Sequence, residues 1–324
     1  MKVRTWVLIA LGVAGLVAVL WYAHWQRVIK TEDMLTALEE ADYDKAREAV
    51  EWLTKRGHAV VPRLNEIVEV EAKPAAARWR AAGILAEIGD RRSQEPLIGV
   101  LSAYLKRVEP PKPEQMAVAA ATAQALGRLE AAAAIPELTQ LVAKKDAGLD
   151  VRCGAARALG RLRAKSTVGQ IAAVLGDHPP VPKKTEGAKA AEVKKPADLT
   201  IPLRVAACEA LAAIGDKAAI PSLMEAADQR VEPDLTVRRA ATAALGDSGD
   251  NRALPILEEN LKDIKEKPGA SGVVPDTDGD IRVAAAVSLG EIGDPKAKPA
   301  LTAARKDKDY WVRRAARRSL RELP

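Results

Sequence analysis

The sequence predicts an all-α, right-handed α-solenoid of about seven two-helix repeats, closed by a C-terminal half repeat and preceded by one transmembrane helix. Three observations carry this. A Leu that closes an Ala-rich stretch returns eight times, at Leu53, Leu85, Leu126, Leu159, Leu211, Leu245, Leu289 and Leu320, and the uninterrupted gaps are 31–34 residues. Around it a pattern recurs: an Arg seven residues earlier in six units, with Ala46 and Ala119 as exceptions, a Gly-Asp pair shortly after in four, then a Pro opening a second apolar stretch. Ahead of the first repeat, Trp6 to Ala23 is an unbroken uncharged run.

Residues 1–5 read as a short tail and 6–26 as a transmembrane signal anchor. At 1.5 Å per helical residue the uncharged run spans about 27 Å to Ala23 and about 31 Å to Gln26, against a bilayer core of about 30 Å. Trp6 stands at one end and Trp21, Tyr22 and Trp25 at the other, where aromatic rings favour the interface. Lys2 and Arg4 precede the run, and Arg27 and Lys30 follow it. Those charges predict a single pass through the inner membrane, with the N-terminus cytoplasmic and the solenoid periplasmic. A cleavable signal peptide would end on small residues, whereas Trp21-Tyr22-Ala23 puts a ring there, so the anchor is expected to be uncleaved.

Residues 27–324 form the repeats. In the fourth unit Val151, Ala155, Ala158, Leu159 and Leu162 recur at helical spacing and make one apolar face. The Gly that follows in most units suits a helix C-terminus, the Asp caps what comes next, and the Pro sits in the first turn of a second helix. Such a two-helix unit buries its face only against its neighbours, which is why it repeats. Ala supplies 63 of the 324 residues, and its small side chain lets paired helices come close. The first unit, around residues 48–68, departs most from the pattern and reads as a cap. The last, residues 310–323, stops after one helix.

The segments DVRCGAARALGRL (150–162), TVRRAATAALGDSGD (236–250) and DIRVAAAVSLGEIGD (280–294) resemble HEAT repeats, especially the short bacterial form first described in phycobilin lyases. The resemblance covers about residues 32–324; it is specific for fold and weak for function. It implies a structural ladder between the inter-helix Asp and the Arg of a neighbouring repeat. Asp90, Asp216, Asp250 and Asp294 match the former, and Arg204, Arg238, Arg282 and Arg313 the latter. Ala131 and Ala164 stand where Asp is missing, so the joints there must be held otherwise.

Three insertions, 106–115, 177–200 and 262–280, are rich in Pro, Lys, Glu and Gly and poor in apolar side chains. They read as flexible loops between one unit's second helix and the next unit's first, either tolerated surface insertions or a fringe that meets a partner. Within the third, Asp276, Asp278 and Asp280 alternate as in the acidic start of a calcium loop. The sixth and twelfth places hold Ile281 and Val287 rather than Gly and Glu, and a helix-capping turn explains the same letters.

No nucleophile, base and orienting group come together in the sequence, and no phosphate-binding glycine loop is present. His24, His58 and His178 lie far apart and read as solvated residues. HEAT-like iron hydroxylases use His-Glu pairs, which this sequence lacks, and Trp52, Trp79 and Trp311 are too dispersed for a glycosylase cleft. Cys153 and Cys208 lie on a similar flank of adjacent first helices and read as partly buried thiols. No cofactor is expected.

The net charge of +6 is uneven: residues 1–30 carry +4, residues 305–324 carry +5, and the stretch between is slightly acidic. That distribution argues against a nucleic-acid binder. Arg313, Arg314, Arg317, Arg318 and Arg321 crowd the terminal helix, either as the polar cap a solenoid end needs or as an anion-binding patch. The expected function is therefore a non-enzymatic, membrane-anchored scaffold that binds a protein partner along the solenoid. The alternatives are a lyase-type accessory protein and an anionic-polymer binder.

Overall fold

In the computed structural model the chain is described over residues 2–40, 42–177, 198–262 and 279–324, with side chains from Gly15 onward. Helix α1 runs unbroken through Lys2–Ala37. Its last turn belongs to the solenoid: Leu35, Ala37 and Leu38 are buried, and the Arg80 guanidinium donates to the Leu38 and Glu40 carbonyls at 2.6 and 3.1 Å. Glu32 and Glu39 pair with Arg63 and Lys73. A helix that ends inside the first repeats is not a separate span followed by a linker.

The anchor over 6–26 and the inner-membrane placement with a periplasmic solenoid are therefore corrected. Among the described residues no helix is long and apolar enough to cross a membrane. The side chains of residues 6–14 lie outside the described ones. The uncharged run continues within α1 to Gln26. Leu16, Leu20, Trp21 and Trp25 are exposed along it, with Trp21 and Trp25 stacked at 5.7 Å.

The remainder is an all-helical repeat solenoid. The first helices of the units are α2 (Tyr43–Arg56), α4 (Ala75–Ile88), α6 (Pro113–Arg128), α8 (Leu149–Arg161), α10 (Ile201–Ile214), α12 (Leu235–Asp247), α14 (Asp280–Ile292) and α16 (Tyr310–Glu322). The second helices are α3 (Val61–Glu69), α5 (Gln94–Leu105), α7 (Ile135–Ala143), α9 (Val168–Leu175), α11 (Ile220–Ala227), α13 (Leu254–Asn260) and α15 (Lys298–Ala304). First helices stack on first helices in one layer, and α3 to α13 stack in the other. Each second helix also packs on the first helix of the following unit. Seven of the eight anchor Leu residues are buried, from Leu53 to Leu289, with Leu320 partly covered at the open end.

The close approach expected of Ala is reached with Gly as well. The residue after the anchor Leu is Gly127, Gly160, Gly246 or Gly290 in four units, and a Cβ there would press on Ala158, Ala210, Ser288 or Ser319 of the next first helix. The joints between helices use a second kind of Gly. Gly89, Gly215, Gly249 and Gly293 take positive φ, where a Cβ would be strained. The Asp that follows accepts from the backbone N–H two residues on, capping a short 3-10 turn rather than the second helix itself. Where Asp is missing, Ala131 and Ala164 are buried and donate back to the Leu126 and Leu159 carbonyls. Of the first insertion, residues 113–115 already belong to α6.

Candidate binding surface

The repeated Arg ties the layers together. Arg78 and Arg152 donate through Nε to the Val68 and Val142 carbonyls, at the C-terminal end of the preceding second helix. Arg238 and Arg313 donate to the Glu232 and Asp307 carbonyls. Carboxylates from the loops complete the ladder: Arg152 meets Asp177 at 3.0 Å, Arg282 meets Asp307 at 3.0 Å, and fully buried Arg204 is held by both Asp198 and Glu232. Arg78 and Arg152 thereby meet open carbonyls at a helix C-terminus, where a cation is favoured by the helix dipole. In the third unit Ala119 replaces the Arg, and the Tyr104 hydroxyl donates to the Ala147 carbonyl at 2.6 Å. A cleft of about 310 Å³ opens there beside Arg78, Arg107 and Glu71.

The Asp set has other partners. Asp90 accepts from the Arg92 backbone and guanidinium and lies 2.7 Å from His58 Nδ1. Asp250 is held in the same way by Arg252. Arg252, by side-chain and then backbone hydrogen bonds, lowers the Asp250 carboxyl to about 2, and Arg92 drives Asp90 well below the usual carboxylate range. Asp216 and Asp294 cap the Ala218 and Lys296 N–H groups. The predicted Asp–Arg ladder thus resolves into two devices, turn caps made by Asp and helix-end clamps made by Arg. Asp177 and Asp307 each follow their Arg by 25 residues, but Glu232 follows Arg204 by 28 and Asp198 precedes it by 6, so no single spacing singled out the set in the sequence.

On the second-helix face, clefts open between consecutive helices. One of about 660 Å³ lies between α9 and α11, floored by Val168, Ala172 and Ala226. Another of about 440 Å³ lies between α11 and α13, with Met224, Pro255 and Ile256 beside Glu225 and Glu259.

At the open end, Arg314, Arg317, Arg318 and Arg321 are exposed on α16, while Arg313 is turned inward to its carbonyls. Exposed Trp311 and Tyr310 lie under Arg314 and Arg313 at 5.4 and 5.9 Å. Arg318 pairs with Glu322. Asp276 and Asp278 of the calcium candidate, and His178, lie outside the described residues. Asp280 opens α14 and pairs with Arg239 at 3.3 Å. Among the described residues no group of three or more His, Cys, Asp or Glu could hold a metal. Cys153 and Cys208 are free and buried, and burial pushes the Cys208 thiol up to about 12.

Two stacked layers of paired helices with a repeated clamp define the class as an all-helical repeat protein. Within it, residues 197–267 and 271–323 match the family described as HEAT repeats, and residues 77–103 match the PBS lyase HEAT-like repeat. No curated protein sequence matches the chain. Among solved structures it is similar to the Escherichia coli protein YibA, with 17% identity over 90% of this chain and 92% of that one and a TM-score of 0.54. A mutant of Kap121p matches with 13% identity over 91% of this chain and 33% of that one, at the same TM-score of 0.54. The complex of CpcE and CpcF of phycocyanin lyase from a Nostoc species has 23% identity over 80% and 86%, with a TM-score of 0.46. Likeness at these identities speaks for the fold alone.

Proposed function

We propose that the chain is a non-enzymatic scaffold that holds another protein along the face made by α3, α5, α7, α9, α11 and α13. The observation that carries this is the succession of open clefts between second helices, apolar at the floor and charged at the rim. A photo-crosslinking residue placed at Gln170, Ser222 or Glu258 should capture one and the same partner in intact cells. Alanine at exposed second-helix positions should abolish capture without lowering the melting temperature. A loss of both together would count against the reading.

Two other readings have one observation each. The PBS lyase HEAT-like match at 77–103 favours a lyase-type accessory role, which predicts a retained chromophore on the purified protein. The exposed α16 arginines favour an anionic polymer, which predicts binding that weakens steeply with salt and is lost when Arg314, Arg317, Arg318 and Arg321 are replaced by Gln.

A further inference from the structure

We infer that the second-helix face takes an extended, basic segment of the partner protein; this rests on the scaffold reading above. The two layers carry opposite charge. The second helices α3 to α15 bear seven carboxylates against Arg63 and Lys298, a net −5. The first helices α2 to α16 bear nineteen basic side chains against eleven acidic ones, a net +8. The chain's overall basicity hides this division. Two of the basic groups in the turns beside the second helices are already committed, Arg92 to Asp90 and Arg252 to Asp250.

One acid on this face lacks a donor. Glu137 of α7 accepts from the Ser102 hydroxyl at 3.2 Å through Oε1, while its Oε2 is buried with no hydrogen-bond partner. A buried carboxylate oxygen without a donor is unfavourable, and a Lys or Arg from outside supplies one. The same face is smooth enough for a main chain to lie on it. Gly99 and Gly169 have nothing within 4 Å of where a Cβ would stand, and Ala103 and Ala173 are exposed beside them.

Geometry sets the spacing of the ligand. Stacked helices lie about 8–10 Å apart, and an extended chain rises about 3.3 Å per residue. One step from helix to helix is therefore about three residues. A segment with a basic residue at every third place would set its charges against Glu95 and Glu137, cross α9, which bears no carboxylate, and meet Glu225 and Glu259 beyond it. Its apolar side chains would lie in the clefts beside Met224 and Val168.

The test uses the full chain and a fluorescein-labelled 15-residue peptide of repeating Lys-Leu-Ser, read by fluorescence anisotropy. The expected result is saturable binding that weakens with salt, with no binding of the Glu-Leu-Ser counterpart. The combined Glu95→Gln, Glu137→Gln, Glu225→Gln and Glu259→Gln variant should bind at least tenfold more weakly. Removing the exposed first-helix acids, Glu51→Gln with Glu87→Gln, should change little. Equal binding of both peptides, an unaffected combined variant, or equal weakening by the first-helix control would each overturn the inference. If the combined variant melts early, the four single variants are compared instead, and binding unchanged in all four overturns it. A salt-sensitive dimer abolished by Arg317→Gln and Arg318→Gln would show the face filled by α16 of a second copy, which also overturns it. The two readings fail separately. A partner crosslinked at the second helices through an acidic or uncharged segment sinks only this inference, whereas crosslinks confined to the first helices sink the scaffold reading as well.

Discussion

Gly160 of α8 lies so tightly against Ala210 of α10 that a Cβ on the glycine would meet the Ala210 Cα at 2.8 Å. The same glycine-on-small-residue contact links α6 to α8, α12 to α14 and α14 to α16. These four contacts set how closely the first helices stack, and so fix the geometry on which the opposite, second-helix layer is built. The expected consequence is a split between two kinds of helical glycine. Gly160→Ala should destabilise by about 1–3 kcal/mol, the range for overpacking a close contact. Gly83→Ala in α4, where nothing lies within 4 Å of the added Cβ, should stabilise by about 0.5–1 kcal/mol. Urea denaturation of both variants checks it, and equal shifts would remove the argument.

Arg204 is fully buried between the carboxylates of Asp198 and Glu232. Replacing it with Leu leaves two acids facing each other without a cation, so the loss should be about 3–5 kcal/mol, as when one member of a buried charge group is removed. Arg239→Leu on the exposed side of α12, where the ion pair with Asp280 is half in solvent, should change stability by less than about 1 kcal/mol. Comparable losses in the two variants would mean that the clamp at Arg204 is not what holds this joint.

Much of this was legible in the sequence, because a repeat writes its spacing many times over. The anchor Leu, the joint Gly and the opening Pro all fell where the helices place them, since each answers to local backbone and packing needs. Two features escaped. The partners of the repeated Arg come from loops, and while Asp177 and Asp307 both follow by 25 residues, Glu232 follows by 28 and Asp198 precedes by 6, so no single spacing marks the set. The charge division between layers appears only once alternate helices are assigned to faces, because along the chain the acids and bases interleave. The apolar run at the front misled for a related reason. Its composition describes a span, but its helix continues through Glu32 and Asp33 into the packing of Leu35 and Leu38.

Acid should loosen the turn caps. Asp90 and Asp250 stay ionised in the fold at pH values where the unfolded chain has already taken up protons. The Asp250 contribution is therefore complete above about pH 4 and is lost as the pH falls through about 2, because the unfolded state binds more protons there, and that of Asp90 persists to lower pH still. Asp250→Asn should lower the melting temperature by a few degrees at pH 7 and flatten its fall between pH 5 and 2. A variant whose melting curve keeps the parent's full acid slope would show that Asp250 does not contribute to it.

Burial should silence both thiols. Cys208 is fully enclosed, with its thiol raised to about 12, and Cys153 is raised by the same cause. A thiolate is the reactive form, so neither should react with a thiol reagent at pH 8 while the chain is folded. Both should titrate once it is unfolded in guanidinium. Rapid labelling of the folded protein at either site would place that thiol at an opened joint.

Two joints carry removable strain. Gly89, Gly215, Gly249 and Gly293 close their helices at φ between 60° and 73°, but the third and fourth units put Glu130 at φ 52° and Arg163 at φ 49° in the equivalent place. A side chain in the left-handed region costs roughly 1–2 kcal/mol relative to glycine there, partly offset by glycine's greater freedom when unfolded. Both side chains point to solvent, so little packing is lost on removing them. Glu130→Gly and Arg163→Gly should each stabilise by about 0.5–1 kcal/mol, and their effects should add, because each acts within its own joint. The reverse change, Gly215→Arg, should destabilise by about 1 kcal/mol. If Arg163→Gly instead loosens the fold, the residue contributes something its backbone strain conceals. The exposed Arg163 side chain would then be the first place to look for a contact that forms only when a partner is bound.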